Sequence, residues 1–206
     1  MKKHLIYTTL FCLISLLLSA CSLSPIKTPH VSYYQLNTDN IASIAPHKQT
    51  KTTPYTLFIS KPVANAGYDS RAMIYIIKPY QLRSYAYNQW VDTPANMIMD
   101  VLTDYLQQSN YFHAVTFPPS SSRSDFRLNT QIIMFQQEFL QPTSQFHLIL
   151  QVTLINNKTQ KVLTTRRFES IIDATGNDPY SGVLAANLAA NKVGLEVTKF
   201  CTQFIR

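Results

Sequence analysis

Glycine is scarce in this chain. Four glycines among 206 residues cannot build the glycine-rich turns that cradle phosphates in nucleotide-binding loops. Acid is scarce as well, with 11 Asp and Glu against 18 Lys and Arg. Asp100 and Asp104 fall one helical turn apart, and a solvated helix face accounts for them. The histidines beyond the N-terminal segment are His30, His47, His113 and His147. None has a second His, a Cys or a carboxylate at metal-ligand spacing. His147 falls on the polar positions of an alternating stretch, which predicts a solvent-facing side chain. No Gly-x-Ser-x-Gly elbow occurs. These absences argue against an enzyme and against any cofactor or metal. The cations are spread rather than gathered in a block, which argues against a nucleic-acid partner.

What the chain does have begins at its N-terminus. Met1-Lys2-Lys3-His4 is short and positive, and an apolar run follows through Leu5-Ile6-Tyr7 and Leu10 to Leu18. The run is shorter than the roughly 20 apolar residues a spanning helix needs, so it reads as an export signal. It ends Leu18-Ser19-Ala20-Cys21. This resembles the lipobox of bacterial lipoproteins, which implies cleavage before Cys21 and acyl chains (palmitate among them) on that residue. Several acyl chains give stable membrane anchoring, at about 0.8 kcal/mol per buried CH2. Ser22 follows, and by the same resemblance a residue other than Asp there implies the outer membrane, facing the periplasm. Loss of residues 1–20 takes 206 residues to 186 and the formal charge from +7 to +5. Of three cysteines, Cys12 leaves with the signal and Cys21 carries lipid. Cys201 then has no partner for an intramolecular disulfide and is expected in the core.

Residues 21–30 are small, polar and proline-containing, and read as a lipidated tether. Its nine residues after Cys21 reach roughly 30 Å when extended. The domain proper is expected over 31–206. Val31–Leu36 is β-like, and 37–54 is a polar loop. Alternation predicts strands at Tyr55–Ser60, Met73–Ile77 and Gln81–Tyr87, the last two forming a hairpin across Lys78-Pro79-Tyr80. Asp92-Thr93-Pro94 is helix-start chemistry. Met97, Ile98, Val101, Leu102, Tyr105 and Leu106 then form one apolar stripe. A short strand is expected over Phe112–Phe117. Phe126, Leu128, Thr130, Ile132 and Met134 alternate with polar residues, as do Phe146, Leu148, Leu150, Val152 and Leu154. With Lys161–Ile172 they predict an antiparallel meander with one buried face. Asp178-Pro179 starts a last helix with apolar positions at Leu184, Leu188, Val193, Val197, Phe200 and Phe204 and four alanines among them. The fold class is α+β, a mostly antiparallel sheet with two main helices packed on one face.

Aromatic residues gather at Tyr68, Tyr75, Tyr80, Tyr85, Tyr87 and Trp90. A tyrosine buries an apolar body but wants its hydroxyl wet or paired, so such clusters suit interfaces. A sheet packed by its own aromatics is the other reading of the same residues. Trp90, just before the helix start, is placed to fill a sheet–helix junction.

The stretch Tyr68-Asp69-Ser70-Arg71, Met73-Ile74-Tyr75 and Tyr85-Ala86-Tyr87-Asn88-Gln89-Trp90-Val91-Asp92-Thr93-Pro94 leads into the first helix. Asp125-Phe126-Arg127-Leu128 opens the long strand. This order resembles the ABC-type transport auxiliary lipoprotein family, which includes the paraquat-inducible C-type lipoproteins. The pattern is a Tyr-x-Tyr-x-x-Trp run, a proline-started helix, then Asp-aromatic-x-Leu. The resemblance spans Val31 to the C-terminus. Where the family has a basic residue before the tryptophan, this chain has Gln89.

The resemblance implies a non-catalytic component of an ABC transport system. Its partner would be a periplasmic subunit carrying mammalian-cell-entry (MCE) domains, its cargo lipids or other hydrophobic molecules, and its site the outer membrane. Self-association stays open. A lipoprotein subunit of another envelope assembly, such as a secretion or Tol-like complex, is the alternative; co-purification with an MCE-domain subunit separates the two. An envelope hydrolase would need a nucleophile-and-base pair that the sequence lacks. For the anchor, Cys21→Ala is expected to abolish lipidation and release the protein from the outer-membrane fraction. Retention there at unchanged yield would refute the lipobox reading.

Overall fold

The computed structural model describes residues 29–38, 52–120 and 122–205. The signal, Cys21, tether residues 22–28 and most of the 37–54 loop lie outside the described residues. Among the described residues eleven elements follow in order: β1 (Ser32–Tyr34), β2 (Thr56–Ile59), β3 (Val63–Ala64), β4 (Ala72–Ile76) and β5 (Leu82–Trp90). Then come α1 (Pro94–Gln108), β6 (Ala114–Thr116), β7 (Phe126–Glu138), β8 (Gln145–Asn156), β9 (Lys161–Asp173) and α2 (Pro179–Phe204).

The expected α+β architecture is what forms: among the described residues, two helices and one nine-stranded sheet. Its largest part is the antiparallel meander, with β7–β8 paired from Phe126↔Asn156 to Glu138↔Gln145 and β8–β9 from Gln145↔Asp173 to Asn156↔Lys161. The β4–β5 hairpin is antiparallel as well. The rest of the sheet is parallel. The free edge of β7 receives β2, β3 and β4 in succession, and β1 and β6 flank β5 and β2. Alternation cannot separate the two senses, because a short strand shows the same period in either. The two-residue β3, which follows Pro62, carried no periodicity to reveal it.

Each helix begins where its cap chemistry says. Thr93 caps α1, its hydroxyl accepting from the Asn96 N–H, and Asp92 accepts from the Thr93 N–H at 2.6 Å and the Asn96 carboxamide at 2.9 Å. Asp178 caps α2, accepting from the Ser181 N–H at 3.0 Å and the Ser181 hydroxyl at 2.5 Å. These bonds occupy N–H groups that a helix start leaves unpaired. All six stripe residues of α1 are buried. In α2 the buried face differs from the expected one. It runs through Val183, Ala185, Ala186, Ala189, Ala190, Val193, Val197, Phe200 and Cys201, while Leu184, Leu188 and Phe204 are exposed. Small side chains win because the helix lies close: a Cβ on Gly194 would stand 2.6 Å from the Tyr105 ring of α1. Cys201 is fully buried, and burial pushes its thiol pKa up.

A second difference lies within β7. Phe126, Leu128, Thr130 and Ile132 face the helices, but the pairing with β8 shifts between Ile132 and Met134. Beyond this β-bulge the parity inverts. Phe135, opposite Leu148, turns inward, and Met134, opposite Ile149, turns to the other face. The inward Phe135 ring meets Trp90 edge-on at 5.3 Å and Phe146 at 5.0 Å. Trp90 is 1% exposed. Truncating so buried an aromatic costs about 3–5 kcal/mol, a large share of a domain's stability. Trp90→Ala is therefore expected to lower the midpoint of urea unfolding by that equivalent; a variant with the wild-type midpoint would contradict the packing.

Candidate functional site

The six aromatics singled out in sequence do not share one environment. Tyr68 and Trp90 are buried, Tyr75 and Tyr85 are half-buried, and Tyr80 and Tyr87 are exposed. The bulge in β7 explains the first four. Its inverted parity points Gln137 inward and Gln136 outward. Gln137 accepts from the Tyr85 hydroxyl at 3.0 Å and donates to the Ser144 hydroxyl at 2.8 Å and the Asp178 carbonyl at 3.2 Å. It sits under α2 at Gly182, where any Cβ would overlap its carboxamide. Tyr85 stacks on Tyr75 at 4.5 Å, and Phe139 meets Tyr75 edge-on at 5.9 Å. Burial raises the pKa of the Tyr85 hydroxyl, which keeps it a proton donor to Gln137.

On the outer face Gln136 starts a second chain of hydrogen bonds. It accepts from the Tyr68 hydroxyl at 2.5 Å and donates to Glu138 at 2.7 Å. Glu138 lies 3.1 Å from His147 Nδ1, and Glu169 lies 2.8 Å from His147 Nε2. His147 is thus held between two carboxylates from the flanking strands, its side chain only 13% exposed, and it is not the solvent-facing residue that alternation predicts. With both ring nitrogens engaged it offers no free ligand atom, and among the described residues no His, Cys, Asp and Glu converge as a metal site. Burial and then Glu138 push the Tyr68 pKa to about 12.

What remains exposed is the tip and outer run of the β4–β5 hairpin: Ile77, Tyr80, Leu82 and Tyr87. Tyr80 follows Pro79 in the turn, where the Gln81 N–H donates to the Lys78 carbonyl at 3.3 Å. Its φ is +67°. Such a position favours glycine, yet it holds a fully exposed tyrosine. A second apolar surface escaped the sequence reading. Tyr33, Val91, Tyr180, Leu184 and Leu188 line a groove between β1 and α2. Asn187 ties the two elements, donating to the Gln35 carbonyl at 3.4 Å and accepting from the Asn37 N–H at 2.6 Å. The outward leucines of α2 were its signal, hidden because they read as core.

Solved structures share this fold, among them three proteins. Protein XCC0632 of Xanthomonas campestris is 19% identical, with 84% of this chain and 95% of that chain covered and a TM-score of 0.73. An uncharacterized protein is 12% identical, with 84% and 99% covered and a TM-score of 0.65. Protein CT253 of Chlamydia trachomatis is 6% identical, with 74% and 98% covered and a TM-score of 0.54. No curated protein matches the chain. The fold class is thus a known α+β one. The chain belongs to the ABC-type transport auxiliary lipoprotein component family, whose model matches residues 34–197.

The outer-face chain makes stability depend on pH. The Glu138 hydrogen bond, aided by Glu169 and opposed by burial, raises the His147 pKa above its ordinary 6.5. The His147 bond, aided by Gln136, lowers that of Glu138. A raised histidine contributes stability that is full below its unfolded pKa and lost as pH rises through its folded one; a lowered carboxylate contributes above its unfolded pKa and loses it as pH falls through its folded one. The cluster therefore stabilises most between the ordinary Glu and His values. Melting temperature is expected to fall as pH rises from 6 towards 8 in wild type, and to fall less in His147→Gln. Parallel curves for the two would show that His147 is not charged in the fold.

Proposed function

We propose that this protein is the outer-membrane, lipid-anchored auxiliary component of an ABC transport system with a periplasmic MCE-domain subunit. In this reading it moves no bond of its own and helps pass lipids or other hydrophobic molecules across the periplasm. Residues 1–20 are the signal, Cys21 carries the acyl chains, 21–30 are the tether and 31–206 the working domain. The observation that carries the reading is the family match over residues 34–197. The Leu18-Ser19-Ala20-Cys21-Ser22 sequence supports the anchor and its membrane.

Scale argues for docking over ferrying. A domain of this size has a radius of gyration of roughly 15 Å, and the tether adds roughly 30 Å. Anchored by several acyl chains, it does not leave its membrane. It acts by receiving a longer partner there. The exposed hairpin residues Tyr80 and Tyr87, with Ile77 and Leu82, form the contact in this proposal. Aromatic side chains commonly dominate such interfaces, and a tyrosine kept at φ +67° is a backbone strain that a contact would explain.

Tyr80→Gly separates binding from folding, because glycine relieves the strain while removing the ring. Tyr80→Gly and Tyr87→Asp are expected to melt at or near the wild-type temperature. Each is expected to weaken capture of the MCE-domain subunit by about tenfold or more. Folded variants that bind at full strength would remove the hairpin from the interface.

A further inference from the structure

One cleft is used by neither the fold nor the proposed contact. It lies on the face of the sheet away from the helices, between the start of β7, the β8–β9 turn and the segment leading into β7, and encloses about 670 Å3. Arg123, Arg127 and Lys158 line it. Among the described residues, no carboxylate pairs with any of the three. Other arginines are better served: Arg71 lies over the Tyr33 ring, Arg166 over Phe200, and Arg167 beside Glu169. Arg127 has a buried Nε with no acceptor among the protein atoms.

The acid nearest this cleft does not neutralise it. Asp125 lines the wall, but its Oδ2 accepts from the Thr56 N–H at 2.8 Å and the Thr56 hydroxyl at 2.9 Å. The cleft thus retains two net positive charges. A second buried atom lacks a partner there, the Oδ1 of Asn157. Its orientation is set by chemistry. Asn157 Nδ2 donates to the Ser124 carbonyl at 3.1 Å, and a carbonyl only accepts. The amide cannot be turned round without losing that bond. Two unpartnered buried polar atoms, a charged-group donor and an acceptor, thus belong to residues in the wall of a cleft lined by three cations.

We propose that this cleft is a binding site for a phosphate ester bearing a neighbouring hydroxyl, of the glycerol phosphate class. The phosphate oxygens accept from the Arg127 guanidinium, with Arg123 and Lys158 supplying charge. The hydroxyl donates to Asn157 Oδ1. A guanidinium fork suits phosphate geometry, and its charge-assisted bonds are the strong ones. Such a group occurs both in soluble phosphate esters and in a phosphatidylglycerol headgroup. The inference does not rest on the MCE partnership, and its test needs no partner.

The test is calorimetric titration of the detergent-solubilised full chain at about 0.15 M salt, where loose surface attraction is screened. The probes are glycerol phosphate, inorganic phosphate, and sub-micellar short-chain phosphatidylglycerol and phosphatidylcholine. Glycerol phosphate is expected to saturate and to bind more tightly than inorganic phosphate. Arg127→Gln is expected to weaken it by about tenfold to a hundredfold, the loss of a charge-assisted hydrogen bond. Its ligand-free melting temperature should not fall, because a buried donor without a partner is removed. Should Arg127→Gln fail to fold, Arg127→Lys keeps the charge but lacks the Nε donor, and is expected to weaken binding similarly. Phosphatidylglycerol binding more tightly than glycerol phosphate, and than phosphatidylcholine, would identify the ligand as a lipid headgroup. The reverse order would identify a soluble ester. Absence of saturable binding by both, or binding unchanged in the folded Arg127 variants, overturns the proposal.

Discussion

The β-bulge between Ile132 and Met134 is the constraint on which the rest of this molecule depends. It inverts the side-chain parity of β7 partway along its length. Before it, even-numbered residues face the helices; after it, Phe135 and Gln137 do. Two adjacent glutamines are thereby sent to opposite faces. Gln137 becomes the buried junction of Tyr85, Ser144 and the start of α2. Gln136 joins Tyr68 to the Glu138–His147–Glu169 chain. Without the bulge, Trp90 would lose Phe135 and both amides would exchange environments. A bulge is a common device for re-aiming side chains in this way.

The second helix is fitted to that inverted end. Its first turn lies over Gln137 at a glycine, and its middle meets the Tyr105 ring at another. Between them, alanines form the contact face. Close approach costs little in side-chain entropy when the residues are small, and it turns the helix so that Leu184 and Leu188 look outward. The apolar groove beside β1 is a consequence of this rotation.

Family membership, the hairpin surface and the cation-lined cleft belong to different parts of one sheet. The hairpin stands on the parallel edge of β7, where β4 joins it at Tyr75↔Gln137. The cleft stands near the opposite end of β7, at Arg127. The family is one of auxiliary transport lipoproteins, and in the proposed reading the hairpin and the cleft are surfaces for contact and binding.

Much of this was legible in the sequence. The strands of the meander, both helices and both caps follow from periodicity and from Thr93-Pro94 and Asp178-Pro179, because those signals are local. The order of Tyr85, Tyr87, Trp90 and Asp125-Phe126-Arg127-Leu128 pointed to the family. Tertiary structure alone decided which strands run parallel, since β2, β3 and β4 meet β7 from distant parts of the chain. It alone decided that Tyr68 is core while Tyr80 is surface, because burial of an aromatic depends on what lies opposite, whereas the place of Trp90 beside the helix start already pointed to the sheet–helix junction. It also decided that His147 is held by Glu138 and Glu169, and that Arg127 is unpaired. Alternation states which side of a strand a residue takes, but a single inserted residue reverses that side, and partners from neighbouring strands carry no signal in linear order.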